Sequence, residues 1–266
     1  TNQDYMKRNR LILIIVILIF SSSQAYCQYF TVKDNFTHNL KTQGDFHFPI
    51  FENIWDSDAT AKINTFLQLE ILELIIGTED SIIFENDWPN GEIFSGRQRM
   101  DYQIKSNTSK ILSIVFDCEG CGAYCSDYKM YYNFDSQSGD FINLKDLFSE
   151  EGYNKFTSIV IGERINRINK AIKQCKDNFE LWKNDFNETS KRPKIEIEEI
   201  IASEQAINED EISTYKNCLE YLNSLEYDGY YFEDDELYLI REKCSVHVNQ
   251  ALDNLGEFEN VFNYSL

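Results

Sequence analysis

The side chains with the most chemical potential fall in one short stretch. Cys118, Cys121 and Cys125 are close enough in sequence for a disulfide or a shared metal ion. A zinc ribbon requires a second CxxC pair, which this chain lacks. The spacing is also the reverse of the C-x3-C-x2-C run of radical iron–sulfur enzymes. Histidine chemistry has little to work with. His38, His47 and His247 form neither an H-x3-H pair nor an HExxH helix, so a metal-dependent deacetylase is not legible. A Gly-x-Ser-x-Gly elbow is absent, because Ser95-Gly96 lacks the first glycine. With 45 Asp and Glu residues, a two-carboxylate glycosidase pair stays open, but nothing singles out which two. No metal, no cofactor and no catalytic residue is expected.

Charge and export narrow the setting. The formal charge is −20, which opposes phosphate neutralisation and so argues against a nucleic-acid partner. It favours cationic partners instead. Met6 is followed by Lys7, Arg8 and Arg10, then by the apolar run Leu11 to Phe20. That run is half of the about 20 residues a membrane helix needs, and has the length of a signal-peptide core. Cleavage after Ala25 or after Cys27 fits the small residues there. Residues 1–27 therefore read as upstream residues plus an export signal, with no transmembrane span left after cleavage. A secreted or periplasmic location follows. Loss of Cys27 leaves Cys118, Cys121, Cys125, Cys175, Cys218 and Cys244, an even set suited to disulfides in an oxidising compartment.

The elements that position these residues form an α+β pattern: an antiparallel sheet with helices packed on one face, in a single domain. Residues 28–44 read as an irregular N-terminal extension and 45–266 as the domain. Ile63, Phe66, Leu67, Leu74 and Ile75 share a helical stripe that ends at Gly77. Asp87 to Gly91 is a turn-rich loop. Strands are expected around Met100 to Ile104, Ile111 to Phe116 and Tyr128 to Phe134. Glu119 to Ser126 is then a hairpin tip that Cys118 and Cys125 could clamp. A long helix runs from Tyr153 to about Asn184. Its seam is Ile161, Ile165, Ile168, Ile172, Cys175, Phe179 and Trp182, which fits packing against a sheet or a second helix. Pro193 opens a short helix to Ala206, and a further helix runs from Glu209 to Leu225. Cys175 and Cys218 both fall on seam positions, which suggests that they pair. The remaining strands lie at Tyr230 to Phe232, from Leu237 onward, and near Phe258 to Tyr264. A monomer is expected.

Several stretches resemble one bacterial family. Tyr132-Asn-Phe-Asp135, Ser138-Gly139 and Ile142-Asn-Leu-Lys-Asp-Leu-Phe148 look like its strand, Asp-x-x-(Thr/Ser)-Gly and Leu-x-Asp-Leu-Phe signature. Ile111 to Phe116 sits at the place of its preceding strand. Phe46, Phe48, Pro49, Ile63 and Asn64 match its opening strand and helix. Phe232-x-x-Asp-x-Leu237 and Gly256-x-Phe258-x-x-Val261-x-x-Tyr264 echo its closing strands. The family is the extracellular domain of the RsiV anti-sigma factor, which also accompanies the PdaC peptidoglycan deacetylase. The resemblance implies a sheet covered by helices and a lysozyme-receptor role. The chain departs from it at Asn263, where the family has proline, and in the rewritten stretch from Cys244 to Leu255. On this reading the membrane anchor and the sigma-binding segment of RsiV are not expected here.

The expected function is a non-catalytic envelope-binding domain for a basic extracellular protein such as lysozyme. The alternatives are a cell-wall polymer-binding module or a carboxylate-based wall hydrolase. The candidate contacts are Glu119, Tyr124 and Asp127 at the hairpin tip, and Tyr230, Tyr231, Asp234 and Asp235 at the acidic turn. Tyrosine is a low-entropy contact residue, and carboxylates complement a cationic partner. The acidic turn, with Asp228, lacks the Asp-x-Asp-x-Asp-Gly pattern of a calcium loop.

Overall fold

Period-2 alternation and cross-strand pairing build the larger of two sheets. The computed structural model describes residues 28–39, 43–53, 56–72, 96–122, 124–220, 222, 224–241 and 255–263. The expected leader, the loop around Asp87 to Gly91, the helix stop at Gly77, Cys244 and His247 lie outside the described residues. Strands β1 (Thr31–Asn39), β2 (Gly44–Glu52), β3 (Gly96–Asn107), β4 (Ile111–Cys121) and β5 (Cys125–Asp135) stand in sequence order across this sheet. All neighbours are antiparallel except β2 and β3, which meet in parallel at Phe46 and Met100.

The first strand departs from the expected irregular extension. Phe30 is fully buried, and Asn107 holds both its backbone groups. The Asn107 Oδ1 accepts from the Phe30 N–H at 2.9 Å, and Nδ2 donates to its carbonyl at 2.9 Å. β1 is an edge strand with few apolar residues. Its β2 ladder makes it a strand, and periodicity does not reveal that.

Helix α1 (Ser57–Leu72) is capped by Asp56, whose Oδ1 accepts from the Ala59 N–H at 3.0 Å. It buries Ile63, Leu67, Ile71 and Leu72 against Phe48, Phe116 and Phe134. Each such side chain contributes roughly 1.5–3 kcal/mol of burial. The Asp135 to Gly139 turn docks here. Asp135 Oδ1 accepts from the N–H groups of Gln137 and Ser138 at 2.9 and 2.7 Å. Gly139 has φ +73°, and a Cβ there would lie 2.5 Å from the Ala59 carbonyl oxygen. Lys62 donates to the Ser138 carbonyl and pairs with Asp140 at 3.0 Å. The Asp-x-x-Ser-Gly motif thus joins the sheet to α1, a structural task.

A second sheet of β6 (Gly229–Glu233), β7 (Glu236–Arg241) and β8 (Phe258–Asn263) packs on the other face of the first. The α+β class holds, with the strands divided between two sheets. Strand β6 meets β5 at Gly229 and Tyr131, β4 at Phe232 and Ser113, and β3 at Glu233 and Lys105. It therefore crosses the strands of the large sheet instead of aligning with them. Its outer edge is covered by side chains. The Phe232 N–H donates to Ser113 Oγ at 3.0 Å, and Asn133 Nδ2 donates to the Tyr230 carbonyl at 2.8 Å. Ser113 Oγ in turn donates to Asn133 Oδ1 at 2.6 Å.

Helix α2 (Glu150–Thr189) covers the small sheet, starting from a Ser149 cap. Phe156 packs on Phe262, and the buried Arg164 donates to Asn260 Oδ1 at 3.1 Å. Burial pulls the Arg164 guanidinium down to about 10, with Arg241 adding repulsion. Helix α3 (Lys194–Glu220) returns along α2. It is one helix where two were expected, because no proline or glycine interrupts Ala206 to Glu209. The buried residues of α2 end at Ile168, and those of α3 begin at Ile212. The far halves thus form a two-helix arm whose seam at Phe179 and Trp182 is only half-buried. Among the described residues, no helix is long and apolar enough to cross a membrane.

The cysteine pairing differs from expectation. Cys121 and Cys125 form a disulfide, directly opposite in the β4–β5 register. Cys118 pairs with Tyr128 in that register and points into the core, so it cannot clamp the tip with Cys125. Cys121 lies three positions after Cys118, an odd step that places their side chains on opposite faces. Cys175 is a thiol, whereas Cys218 is disulfide-bonded. The expected Cys175–Cys218 bridge is therefore absent.

Candidate binding face

Alternation divides the small sheet into two faces. Tyr230, Phe232, Leu237 and Leu239 point inward to a buried cluster. Tyr231, Tyr238 and Val261 are cross-strand neighbours on the outer face. Tyr231 and Tyr238 stack with ring centroids 4.6 Å apart and planes 3° apart. Tyr131, from β5, extends the row at 6.3 Å and 8°. It can do so because residue 229 is glycine: a Cβ there would lie 1.9 Å from Tyr131 Cδ2. Val261, 43% exposed, ends the row. Tyr131–Tyr231–Tyr238–Val261 is thus an apolar stripe across two sheets.

Carboxylates border the stripe. Glu233 and Glu236 face each other across the two-residue turn of Asp234 and Asp235, and Glu259 lies on the other side. Asp234 takes φ +52°, a conformation that Asp tolerates better than most residues, and both turn aspartates are exposed. Lys105 pairs with Glu233 at 3.3 Å and sits 5.1 Å from the Tyr231 ring centroid. The Tyr238 hydroxyl donates to Glu236 Oε2 at 2.6 Å, and this bond pushes its pKa up to about 12. Burial, then Glu259 and Glu233, pushes Tyr231 up as well. Both phenols stay neutral donors at neutral pH.

The hairpin tip continues this face. Glu119 stands opposite Asp127, Asp117 opposite Lys129 and Val115 opposite Tyr131. These pairs alternate onto one side, so Asp127 lies about 13 Å along the strand from Tyr131. Arg99 bridges Asp127 at 2.8 Å and Asp117 at 3.6 Å. Tyr124 at the tip is 59% exposed.

The structure therefore gathers Glu119, Asp127, Tyr231, Asp234 and Asp235 along one face, with Tyr124 at its end. Tyr230 does not belong to it. It is 5% exposed, its hydroxyl donates to the Ile142 carbonyl, and burial pushes its pKa up. Adjacent tyrosines in a strand point to opposite sides, so only one of Tyr230 and Tyr231 can face solvent. Tyr131, Tyr238, Val261 and Glu259 were missed. Tyr238 had a signal: it stands as far after the Asp234-Asp235 turn as Tyr231 stands before it. Tyr131 had none, because only tertiary packing brings β5 to β6.

Other chemistry finds little footing among the described residues. Donor atoms of Glu119, Cys121 and Cys125 lie within 4.8 Å of one another, but the two sulfurs are bonded together and offer no thiolate. His38 pairs with Asp45 at 2.6 Å and His47 with Asp34 at 2.8 Å, on the exposed β1–β2 hairpin. The grooves of the helical arm are lined by neither histidine.

No family model matches this sequence, and no curated protein matches it. Among solved structures, the chain is similar to the crystal structure of a DUF3298 family protein from Pseudomonas aeruginosa PAO1. Identity is 7%, the TM-score is 0.41, and the match covers 88% of each chain.

Proposed function

We propose that this protein is an exported, non-catalytic binding domain of the cell envelope whose acidic tyrosine face takes a basic protein. A basic wall-active enzyme such as lysozyme is the first candidate. The observation that supports this reading is the half-buried stripe Tyr131–Tyr231–Tyr238, which ends at the exposed Val261 and is bordered by Glu233, Glu236 and Glu259. Guanidinium groups stack on tyrosine rings and pair with carboxylates, so such a stripe suits arginine-rich surfaces. The formal charge of −20 adds long-range attraction.

The test is binding to a basic lysozyme at low and physiological salt, beside a basic control protein of equal charge. Saturable binding to lysozyme that survives physiological salt is expected. Tyr238→Ala should weaken it about 30-fold, as for an interfacial tyrosine of about 2 kcal/mol. Equal binding to the control, lost with salt, would mean that net charge alone acts. Binding to isolated wall polysaccharide but not to lysozyme would favour the polymer-binding alternative.

A further inference from the structure

The hairpin tip carries chemistry that the tyrosine stripe does not use. Donor atoms of Glu119, Cys121 and Cys125 lie within 4.8 Å of one another. Strand register explains this. Cys121 stands directly opposite Cys125, and Glu119 precedes Cys121 by two residues, which puts it on the same face. Cys118 points the other way, into the core. The set is therefore two sulfurs and a carboxylate, not three sulfurs.

The strand ladder holds these donors together whether or not the sulfurs are bonded. β4 and β5 pair residue by residue from Ile111 and Asp135 to Cys121 and Cys125. The two cysteines are only four positions apart, so their bond constrains little that the ladder does not already fix. Once it is broken, the sulfurs can part to the spacing that two zinc–sulfur bonds of about 2.3 Å require. Cys125 is exposed, and Cys121 and Glu119 are half-buried, so a thiol reagent and a hydrated cation both have access. Arg99 of β3 stands opposite Glu119, but Asp127 and Asp117 engage its guanidinium at 2.8 and 3.6 Å. Thiolate sulfur beside carboxylate oxygen suits zinc, whereas calcium and magnesium take oxygen alone.

We propose that the hairpin tip is a redox-gated site for a zinc-class cation. As a disulfide it takes no metal. As a dithiol it binds the ion through Cys121, Cys125 and Glu119, with water in the fourth position. Opening needs an external dithiol. Its two thiols pass two electrons and two protons to the Cys121–Cys125 bond, and it leaves as its own disulfide. The cation then displaces the two cysteine protons to solvent. The inference does not depend on what the acidic tyrosine face binds.

The test is cobalt(II) titration of the full chain in a Cys175→Ser background, as the disulfide and after anaerobic reduction with dithiothreitol and its removal. The reduced protein should bind cobalt with thiolate-to-cobalt charge-transfer absorption that zinc abolishes, and the disulfide form should not. Cys121→Ser and Cys125→Ser should each remove the absorption. Glu119→Gln should weaken binding at least about 10-fold, the loss that even an outer-shell partner causes. Far-ultraviolet dichroism should stay native on reduction and in all three variants. No charge-transfer band in the reduced protein overturns the proposal, as does a band that survives when Cys121 and Cys125 are both serine. Equal binding by the disulfide form, or unchanged affinity in Glu119→Gln, also overturns it. So does loss of native dichroism on reduction, because the ladder would then not hold the donors together.

Discussion

Replacing Asn133 with leucine tests how the small sheet is held on the large one. Ser113 and Asn133 are both fully buried. Asn133 Nδ2 donates to the Tyr230 carbonyl, and Asn133 Oδ1 accepts from Ser113 Oγ. Leucine fills similar space but removes both bonds. An orphaned buried polar group costs about 1–3 kcal/mol, so Asn133→Leu should cost about 2–5 kcal/mol. Ser113→Ala takes the acceptor from the Phe232 N–H and the donor from Asn133, and should cost a similar amount. Both substitutions delete the same Ser113–Asn133 bond. The double variant should therefore cost less than the two single changes together, by about 1 kcal/mol. Urea unfolding of the four proteins measures this cycle, and amide exchange at Phe232 reports the edge of β6 directly. Single changes under about 0.5 kcal/mol, or strict additivity, would refute the claim that these side chains latch β6.

Further predictions concern the stripe and the cysteines. Gly229→Ala should displace the Tyr131 ring, reduce the near-ultraviolet tyrosine dichroism, and cost about 1–3 kcal/mol through overpacking. Tyr238, Tyr102 and Tyr132 bind their protons more tightly in the folded chain, with pKa values raised from 10.0 to about 12. Stability present below about pH 10 should thus be lost as pH climbs towards 12, and tyrosinate absorbance should rise later in native than in unfolded protein. Burial, reinforced by Glu211, pushes the Cys175 thiol up to about 11 from 9.0. Its alkylation near pH 8 should run about 100-fold slower than that of an ordinary thiol, and Glu211→Gln should speed it. Reduction of the Cys121–Cys125 bond, which closes a very short loop, should cost at most about 2 kcal/mol in a chemical unfolding assay.

Much of the fold was written locally. The stripe Ile63, Phe66 and Leu67 announced α1, and the alternation of Met130, Tyr132 and Phe134 announced β5. Gly139 marked a turn that needs positive φ, and the Asp234-Asp235 pair marked the β6–β7 hairpin. Such signals survive in sequence because they follow from backbone period and turn stereochemistry. The edge strand β1 left almost no trace, since its order comes from the β2 ladder and from Asn107, a residue far along the chain.

The site was legible only in part, and for the same physical reason. Sequence alone determined that the protein is strongly acidic, that it alternates strands with long helices, and that carboxylates cluster beside tyrosines near residue 233. It suggested that six cysteines pair, Cys175 with Cys218 among them, whereas Cys175 is a thiol. Tertiary structure decided that Tyr231 faces out while Tyr230 anchors the core, because one residue of register inverts every side chain of a strand. It also decided that Cys121 meets Cys125, by placing them opposite each other across a hairpin. The crossing of β6 over β5, β4 and β3 brought Tyr131 to Tyr231 from 100 residues away. No local pattern encodes that contact, which depends on how two sheets pack.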